Sequence, residues 1–348
     1  MDEREVEWSA LPMELLLLIG KTLQDRIDVI RFRSMCVPWR SSIPPLREVS
    51  PSLPLPLPYP VRSARNQAFV SQSTIYRLKL PDDDDNPKIP TCSTNSWLVR
   101  VEEFEPGRTR LLNPLSSLHI RFLPDPFPKV INLLDFRVVE VSKAYELQYS
   151  SGMPIAGVNK LVLFPNSAWT SCVEDTVIFA LLNEGKLGLG TVSWINSSMK
   201  LIQFSPPFCG LGNQKHLVES CGELYIVDRY FEFDREGGRW HFDLFPSNSV
   251  CPKTLTFKVY KLDQEWGCWV MVKNLGDRVL ILGNDCSFSV SAREFSECKG
   301  NSIYFTDGND LGVFYVENQR ICMIVDYKEQ CPIFCPPPSW LSSKSAFI

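Results

Sequence analysis

The sequence predicts a mostly-β protein that begins with a small N-terminal α-helical module and continues as a β-propeller. Apolar residues recur at helical spacing near the N-terminus, prolines crowd the segment that follows, and short strand patterns fill the rest. We therefore place the helical module at residues 5–44, a proline-rich linker at 45–62 and an all-β domain, the β domain, at 63–348. With 348 residues, 44% of them hydrophobic, the chain can form a sizeable core.

The first helix is predicted from the stretch VEWSALPMELLLLIGKTL, residues 6–23. Pro12 suits a first helical turn because its missing amide would have no partner there, and Glu14 favours the same end of the helix dipole. The apolar residues of this helix recur at three- and four-residue spacing: Leu15, Leu16, Ile19 and Leu23. They form an apolar face wider than one neighbouring helix would cover.

Two other interpretations of this stretch fail. The apolar block 15–19 is far shorter than the roughly 18 residues that a membrane span needs. The Gly-Lys-Thr triplet at 20–22 would need a glycine five positions earlier to wrap a phosphate, and Leu15 stands there instead. The triplet is therefore predicted to be an ordinary part of the helix.

A second helical unit is predicted from the stretch DRIDVIRFRSMCVPWRSSI, residues 25–43. Its apolar residues also follow helical spacing: Phe32, Cys36, Trp39 and Ile43. Pro38 lacks an amide donor, so we place it in the first turn of a short final helix. Some forty residues of helix bury little apolar surface among themselves, which favours a partner protein that covers the remainder.

These two stretches together resemble an F-box. The matching features are Leu11-Pro12 followed by Glu14-Leu15, Ile19 eight residues after Leu11, and Cys36 followed by Trp39-Arg40. The resemblance implies docking onto the Skp-type adaptor of a cullin-RING ubiquitin ligase. The residues expected to bind the adaptor are Leu11, Pro12, Leu15, Leu16, Ile19, Leu23, Cys36 and Trp39. The alternative is an ordinary hairpin of core helices.

The linker is defined by prolines at positions 44, 45, 51, 54, 56, 58 and 60. Such a segment cannot continue a helix, and its alternating Pro-Leu pairs favour an extended polyproline conformation. We expect a semi-rigid spacer or a strap packed on the β domain. A ligand for a proline-recognition domain is the less favoured alternative.

The β domain is predicted from many short segments rich in β-branched and aromatic residues and separated by turn residues. A sandwich, a barrel or a propeller would protect the strand edges. Strand openings at Asp175, Gly222 and Gly276 recur about every 50 residues, the period of kelch-type blades, and this favours a propeller of about five or six blades.

The C-terminal part resembles a domain of unknown function found in plant F-box proteins and often labelled kelch-like. The matching blocks are Asp277, 288–290, 298–301 and 304–307. The resemblance implies a substrate receptor and supplies no binding pocket. We expect these blocks to form turns and blade packing, with Gly300 at a positive φ, and with Ser289 and Ser291 on the face opposite Phe288 and Val290.

Charge and residue types predict neither nucleic-acid binding nor catalysis. A net charge of -4 provides no basic patch for nucleic acid or an anionic membrane. The cysteines at 331 and 335 lack the second pair of a zinc site, and the acidic run 82–85 is expected to be a solvated loop. The histidines, expected at surface or turn positions, are His119, His216 and His241. We predict no cofactor, no metal and no catalytic residue.

The expected function is substrate recognition in a Skp-cullin-F-box (SCF) ubiquitin ligase, in which the β domain brings an unidentified protein target to the ubiquitin-charged enzyme. The alternatives are a scaffold or decoy that binds the adaptor without degradation, and an enzyme that uses the propeller funnel. The first five residues are acidic where a signal peptide would be basic. We therefore expect the nucleus or cytoplasm, rather than secretion or a membrane.

Overall fold

The computed structural model describes residues 11–23, 26–43, 55–56, 68–79, 96–105, 108–115, 137–149, 158–164, 176–182, 187–193, 198–203, 212–232, 253–263, 265, 268–283, 286–295, 298–307, 310–324 and 332–334. The acidic run 82–85, His119, His241, Cys331 and Cys335 lie outside these ranges, as does the linker apart from Leu55 and Pro56.

The helical module contains α1 (Met13–Thr22), α2 (Arg26–Ser34) and α3 (Val37–Ser42). α1 begins directly after Pro12, whose carbonyl oxygen accepts hydrogen bonds from the amides of Leu15 and Leu16. Pro38 lies in the first turn of α3, as predicted, where a missing amide leaves no bond unmade. Among the helices in the described ranges, none is both long enough and apolar enough to cross a bilayer.

The β domain contains strands in three sheets. The first has the order β4-β3-β2-β5-β6-β7-β8-β9, with β1 paired to β2. Its strands are β1 (Leu55–Pro56), β2 (Ala68–Lys79), β3 (Ser96–Glu105), β4 (Arg108–Leu112), β5 (Arg137–Tyr149), β6 (Val158–Phe164), β7 (Thr176–Leu182), β8 (Leu187–Ser193) and β9 (Ser198–Gln203).

The other two sheets have the orders β10-β11-β12-β13 and β15-β14-β16-β17-β18. Their strands are β10 (Gln214–Ser220), β11 (Glu223–Phe231), β12 (Thr254–Asp263), β13 (Cys268–Val272), β14 (Arg278–Leu282), β15 (Ser287–Ser291), β16 (Ser302–Asp307), β17 (Asp310–Tyr315) and β18 (Arg320–Ile324). β14 and β16 pair in parallel, and the other neighbours in these two sheets pair antiparallel. A 3-10 turn, Pro332–Phe334, contacts β3.

The contacts between sheets follow the order expected for propeller blades. β5 and β6 are joined, in the described residues, by one residue pair, Tyr145 opposite Leu161. This short pairing divides the first sheet into two groups of strands, β1–β5 and β6–β9. β10 contacts β6 and β7, while β15 contacts both β10 and β5. The described strands therefore form four groups that close into a ring.

The described strands form four groups, and the five or six blades that the repeat period predicts stay a prediction for the whole chain. Asp175, one of the three openings that define the repeat, lies outside the described residues, and Gly222 and Gly276 precede β11 and β14, each of which pairs with an edge strand. The repeat thus marks equivalent positions.

Two apolar clusters fill the spaces on either side of the third sheet. One contains Ile75 and Leu98 of the first sheet with Phe288 of β15, and the other joins the second sheet to the third. In the second cluster the Phe257 ring centroid lies 4.8 Å from that of Phe305. A Cβ at Gly312 would lie 2.4 Å from Phe305 Cζ, so glycine is needed there for this ring to pack.

The turn predicted around Gly300 has a different backbone conformation from the expected one. Asn301, not Gly300, has the positive φ, at 57°, and its side-chain oxygen accepts the Leu275 amide at 2.8 Å. Gly300 is required by close approach instead, because a Cβ there would lie 3.0 Å from the Gly276 carbonyl oxygen. The expected alternation in β15 is confirmed: Phe288 and Val290 are buried and the serines between and after them are half-buried.

Candidate functional site

The helical module has a small apolar core of its own. Its fully buried member from α1 is Leu16, at 0% exposure, which lies in one cluster with Val29, Phe32 and Ile43. Leu11, Leu23 and Trp39 pack against this cluster. The Phe32 and Trp39 ring centroids lie 4.6 Å apart. Four of the residues expected to bind the adaptor, Leu11, Leu16, Leu23 and Trp39, therefore hold the three helices together.

Gly20 allows α1 to approach the end of α3. A Cβ at this position would lie 2.4 Å from Ile43 Cγ2, a branched carbon that cannot swing away like the tip of a flexible side chain. Gly20 of the Gly-Lys-Thr triplet is thus a packing residue, a role that was not predicted. The sequence pattern that indicates this role is a glycine four residues after Leu16, on the same face of the helix.

Two arginines tie α2 to the end of α3. Arg33 donates to the carbonyl oxygen of Arg40 at 3.0 Å and also to that of Ile43. Arg40 donates from Nε to the Arg33 carbonyl oxygen at 3.2 Å. The last carbonyls of a helix lack partners within the helix, so Arg33 satisfies acceptors at the end of α3 and Arg40 satisfies one at the end of α2.

The opposite sides of the module expose a large amount of apolar surface. Seven of the eleven large hydrophobic side chains that are exposed in the described residues belong to this short module, and we call them the docking surface: Met13, Leu15, Leu17, Leu18, Ile19, Met35 and Val37. Leu15 and Ile19 are 49% and 38% exposed, although Leu16 between them is fully buried. A helix that is apolar on nearly every side is stable in water only when another surface covers it.

The docking surface includes two of the eight residues expected from the sequence, Leu15 and Ile19. Pro12 is also exposed, at the start of α1, and Cys36 is half-buried. Leu15, Leu18 and Ile19 share one helical face at three- and four-residue spacing. Leu18 and its exposed companions could not be predicted from the sequence, because spacing marks an apolar side chain without showing which side of α1 the other helices cover.

The comparisons with known proteins give the β domain a family. A family model described as the KIB1-4 beta-propeller matches residues 67–315. In Arabidopsis thaliana, F-box protein SKIP23 is 31% identical, over 97% of this chain and 96% of the relative. The chain belongs to this family of plant F-box proteins. Putative F-box protein At1g65770 of the same plant is 29% identical over 90% of this chain and 92% of the relative.

The match confirms the predicted fold class for this F-box protein: a mostly-β chain with small N-terminal helices and a β-propeller. The kelch-like label stays a prediction, because the matching model describes the propeller by the name KIB1-4. No solved structure matches the chain.

The β domain of this F-box protein contains a buried histidine where the sequence predicted a surface or turn position. His216 lies on β10, is 1% exposed and has Nδ1 3.3 Å from Ser287 Oγ of β15. This contact joins β10 to β15, which are edge strands of the second and third sheets. The prediction was wrong because His216 stands in a strand whose burial depends on β15, which is distant in sequence.

A buried cation joins the second sheet to the third. Arg229 donates to Thr254 Oγ1 at 2.6 and 2.9 Å and to the Thr306 carbonyl oxygen at 2.9 Å, and Asp307 lies 3.4 Å away. Its guanidinium also lies 5.1 Å from the Phe305 ring centroid. Burial lowers the pKa of Arg229 to about 10, with the charge of Asp307 opposing that shift. These contacts indicate a structural role for Arg229.

No cluster of three or more potential metal ligands occurs in the ranges that the structure describes. The docking surface itself consists of aliphatic and thioether side chains, which neither titrate nor coordinate hard cations. It can bind another protein by burying apolar area.

Proposed function

We propose that this chain is the substrate-recognition subunit of an SCF ubiquitin ligase, docking through its helical module onto a Skp-type adaptor and through the adaptor onto a cullin-RING ligase. The single observation that carries the proposal is the docking surface, which leaves α1 apolar on sides that no described element covers. Relatives along nearly the whole chain are named F-box proteins, which supports the same conclusion.

The residues expected to bind the adaptor divide into two groups under this proposal. Leu15 and Ile19, with Leu18 on the same face, contact the adaptor directly, and Pro12 fixes the start of the helix that presents them. The buried group, Leu16 with its neighbours, acts indirectly by holding α1 in place. Both groups matter for binding, and a stability measurement distinguishes them.

The chemistry of such a receptor is proximity. Holding a target lysine near a ubiquitin thioester raises its effective concentration, and this needs no acid, base or nucleophile from the receptor. The β domain supplies the target-binding surface in this account. We propose a non-catalytic role, with a protein target of unknown identity, in the nucleus or cytoplasm.

Affinity purification of the full chain from plant cells tests this function. We expect wild type to capture adaptor and cullin, and Leu15→Asp combined with Ile19→Asp to lose both while the circular dichroism spectrum is retained. Target proteins that accumulate on wild type after cullin inhibition would support delivery for degradation. Unchanged target abundance under inhibition would favour the scaffold or decoy alternative, and capture of cullin by the double mutant would overturn the docking proposal.

A further inference from the structure

One guanidinium links the helical module to the β domain. Arg31 of α2 donates from one terminal nitrogen to Asp28 Oδ1 at 3.0 Å and from the other to the carbonyl oxygen of Val138 in β5. Asp28 therefore holds the planar group while it binds the strand. α2 and β5 are also in contact around this bond.

The linker provides a second attachment. Leu55 and Pro56 form β1, which pairs antiparallel with Val70 and Phe69 of β2. In the described register, β3 pairs with β2 from Ser73 onward, so β1 occupies the edge position that β3 leaves free. Pro56 fits there because an edge strand tolerates a residue without an amide donor. This part of the linker therefore packs on the β domain as a strap, one of the two arrangements predicted for the segment.

The two attachments lie toward opposite ends of one strand pair. β2 and β5 pair along their lengths, with Val138 opposite Leu78 and Leu147 opposite Val70. Val70 and Leu78 are about eight residues apart on one strand, or on the order of 26 Å at ~3.3 Å per residue. The Arg31 bond and the α2–β5 contact attach the module, and the β1 pairing attaches the linker, so both anchor the chain to the same strand pair.

We propose that Arg31 is a positioning residue that, together with β1, holds the helical module in one orientation on the β domain. The consequence rests on the proposed function: the docking surface would then face the adaptor at a fixed distance from the target-binding domain. A fixed distance limits the volume that a bound target explores and raises the effective concentration of its lysines at the ligase.

A distance measurement on the full chain tests this role. Spin labels on noncanonical amino acids at Ser34 of α2 and Lys273, both exposed, avoid the 12 cysteines of the chain. We expect wild type to give one narrow distance distribution by electron–electron resonance, and Arg31→Ala to broaden it at least twofold. Arg40→Ala is the matched control, since Arg40 also carries an exposed guanidinium and donates to a carbonyl within the module. It should leave the width unchanged.

The outcomes separate this proposal from the proposed function. Adaptor affinity by calorimetry should stay within twofold for Arg31→Ala, because Arg31 lies outside the docking surface. An Arg31→Ala distribution as narrow as wild type, or a wild-type distribution as broad as the mutant, would overturn the positioning role. If Arg31→Ala fails to fold by circular dichroism, Asp28→Ala replaces it with the same expectation. Distances are recorded with and without adaptor, so loss of adaptor binding by wild type would count against the proposed function alone.

Discussion

Gly20 of α1 packs against Ile43 at the end of α3, and a Cβ at Gly20 would lie only 2.4 Å from Ile43 Cγ2. Gly20→Ala should therefore destabilise the helical module even though alanine is the better helix former. Overpacking costs about 1 to 3 kcal/mol, and helix propensity returns up to about 1 kcal/mol. We expect a net loss of about 1 kcal/mol, read from urea unfolding of residues 1–50 followed by Trp39 fluorescence, with Trp8 replaced by phenylalanine.

Lys21→Ala is the control for that change, since it adds the same helix former one position along α1 at an exposed site. It should change the free energy of unfolding by less than about 0.5 kcal/mol. A Gly20→Ala module that is more stable than wild type would show that the helices can separate without cost at this contact.

Removal of the buried cation between the second and third sheets should strongly destabilise the β domain. Arg229→Ala leaves the Asp307 carboxylate without its cationic partner, with the Thr254 amide still donating to it, and leaves Thr254 Oγ1 and the Thr306 carbonyl oxygen without this donor. Breaking a buried charge pair by deleting one member costs about 3 to 5 kcal/mol. Chemical denaturation of the β domain measures this loss.

Arg293→Ala is matched to Arg229→Ala because Arg293 also pairs with an aspartate, Asp277, at 3.4 Å, but its side chain is 85% exposed. We expect a change of less than about 1 kcal/mol, as for other solvent-exposed pairs. Equal losses for the two variants would contradict the structural role assigned to Arg229.

The acid side of the stability profile should depend on Glu223. Hydrogen bonds from Lys261, at 2.5 Å, and Tyr225, at 2.6 Å, lower the pKa of this carboxyl below its ordinary value of 4.5. A lowered pKa in the folded state stabilises the protein above pH 4.5, and that stabilisation is lost as the pH falls through the folded-state pKa. Glu223→Gln should therefore lose less stability than wild type on acidification.

Urea midpoints measured at a series of pH values between about 6 and 3 compare the two proteins in that window. Parallel midpoints across the whole series would show that Glu223 contributes nothing to the pH dependence. The effect should also shrink in high salt because the Lys261–Glu223 pair is partly exposed.

Local chemistry made parts of this structure predictable. Pro12 and Pro38 mark helix starts because the missing amide matters within a single turn, and the alternation around Phe288 follows from strand geometry alone. The sequence predicts a positive φ at Gly300, whereas its neighbour Asn301 adopts it, because both residue types tolerate that region and the Asn301 side chain also accepts the Leu275 amide.

The features that the sequence could not predict depend on distant partners. Leu15 and Leu16 are identical residues side by side, yet one is exposed and the other is buried, because α3 returns against only one side of α1. The same limit applies to His216, whose burial depends on β15, and to Pro56, whose pairing with Phe69 no local pattern specifies. Spacing identified an apolar helix without identifying its free side.

Leu16→Ala separates the two groups of residues in the helical module. Deleting a fully buried leucine costs about 2 to 5 kcal/mol, so this variant should lose helical structure and adaptor binding together. Circular dichroism of residues 1–50 measures the helical structure, and calorimetric titration of the adaptor into the full chain measures the binding. Retained binding with an unfolded module would contradict the assignment of Leu16 to the core.

Calorimetric titration of a Skp-type adaptor into the full chain carrying Leu15→Ala and Ile19→Ala tests the central claim most directly. Both side chains belong to the docking surface and neither fills the module core, so the fold should be retained. Losing two apolar anchors of an interface should cost about 2 to 4 kcal/mol, and the Kd should rise about 30- to 1000-fold. A Kd within about threefold of wild type, with the circular dichroism spectrum unchanged, would show that this surface does not bind the adaptor.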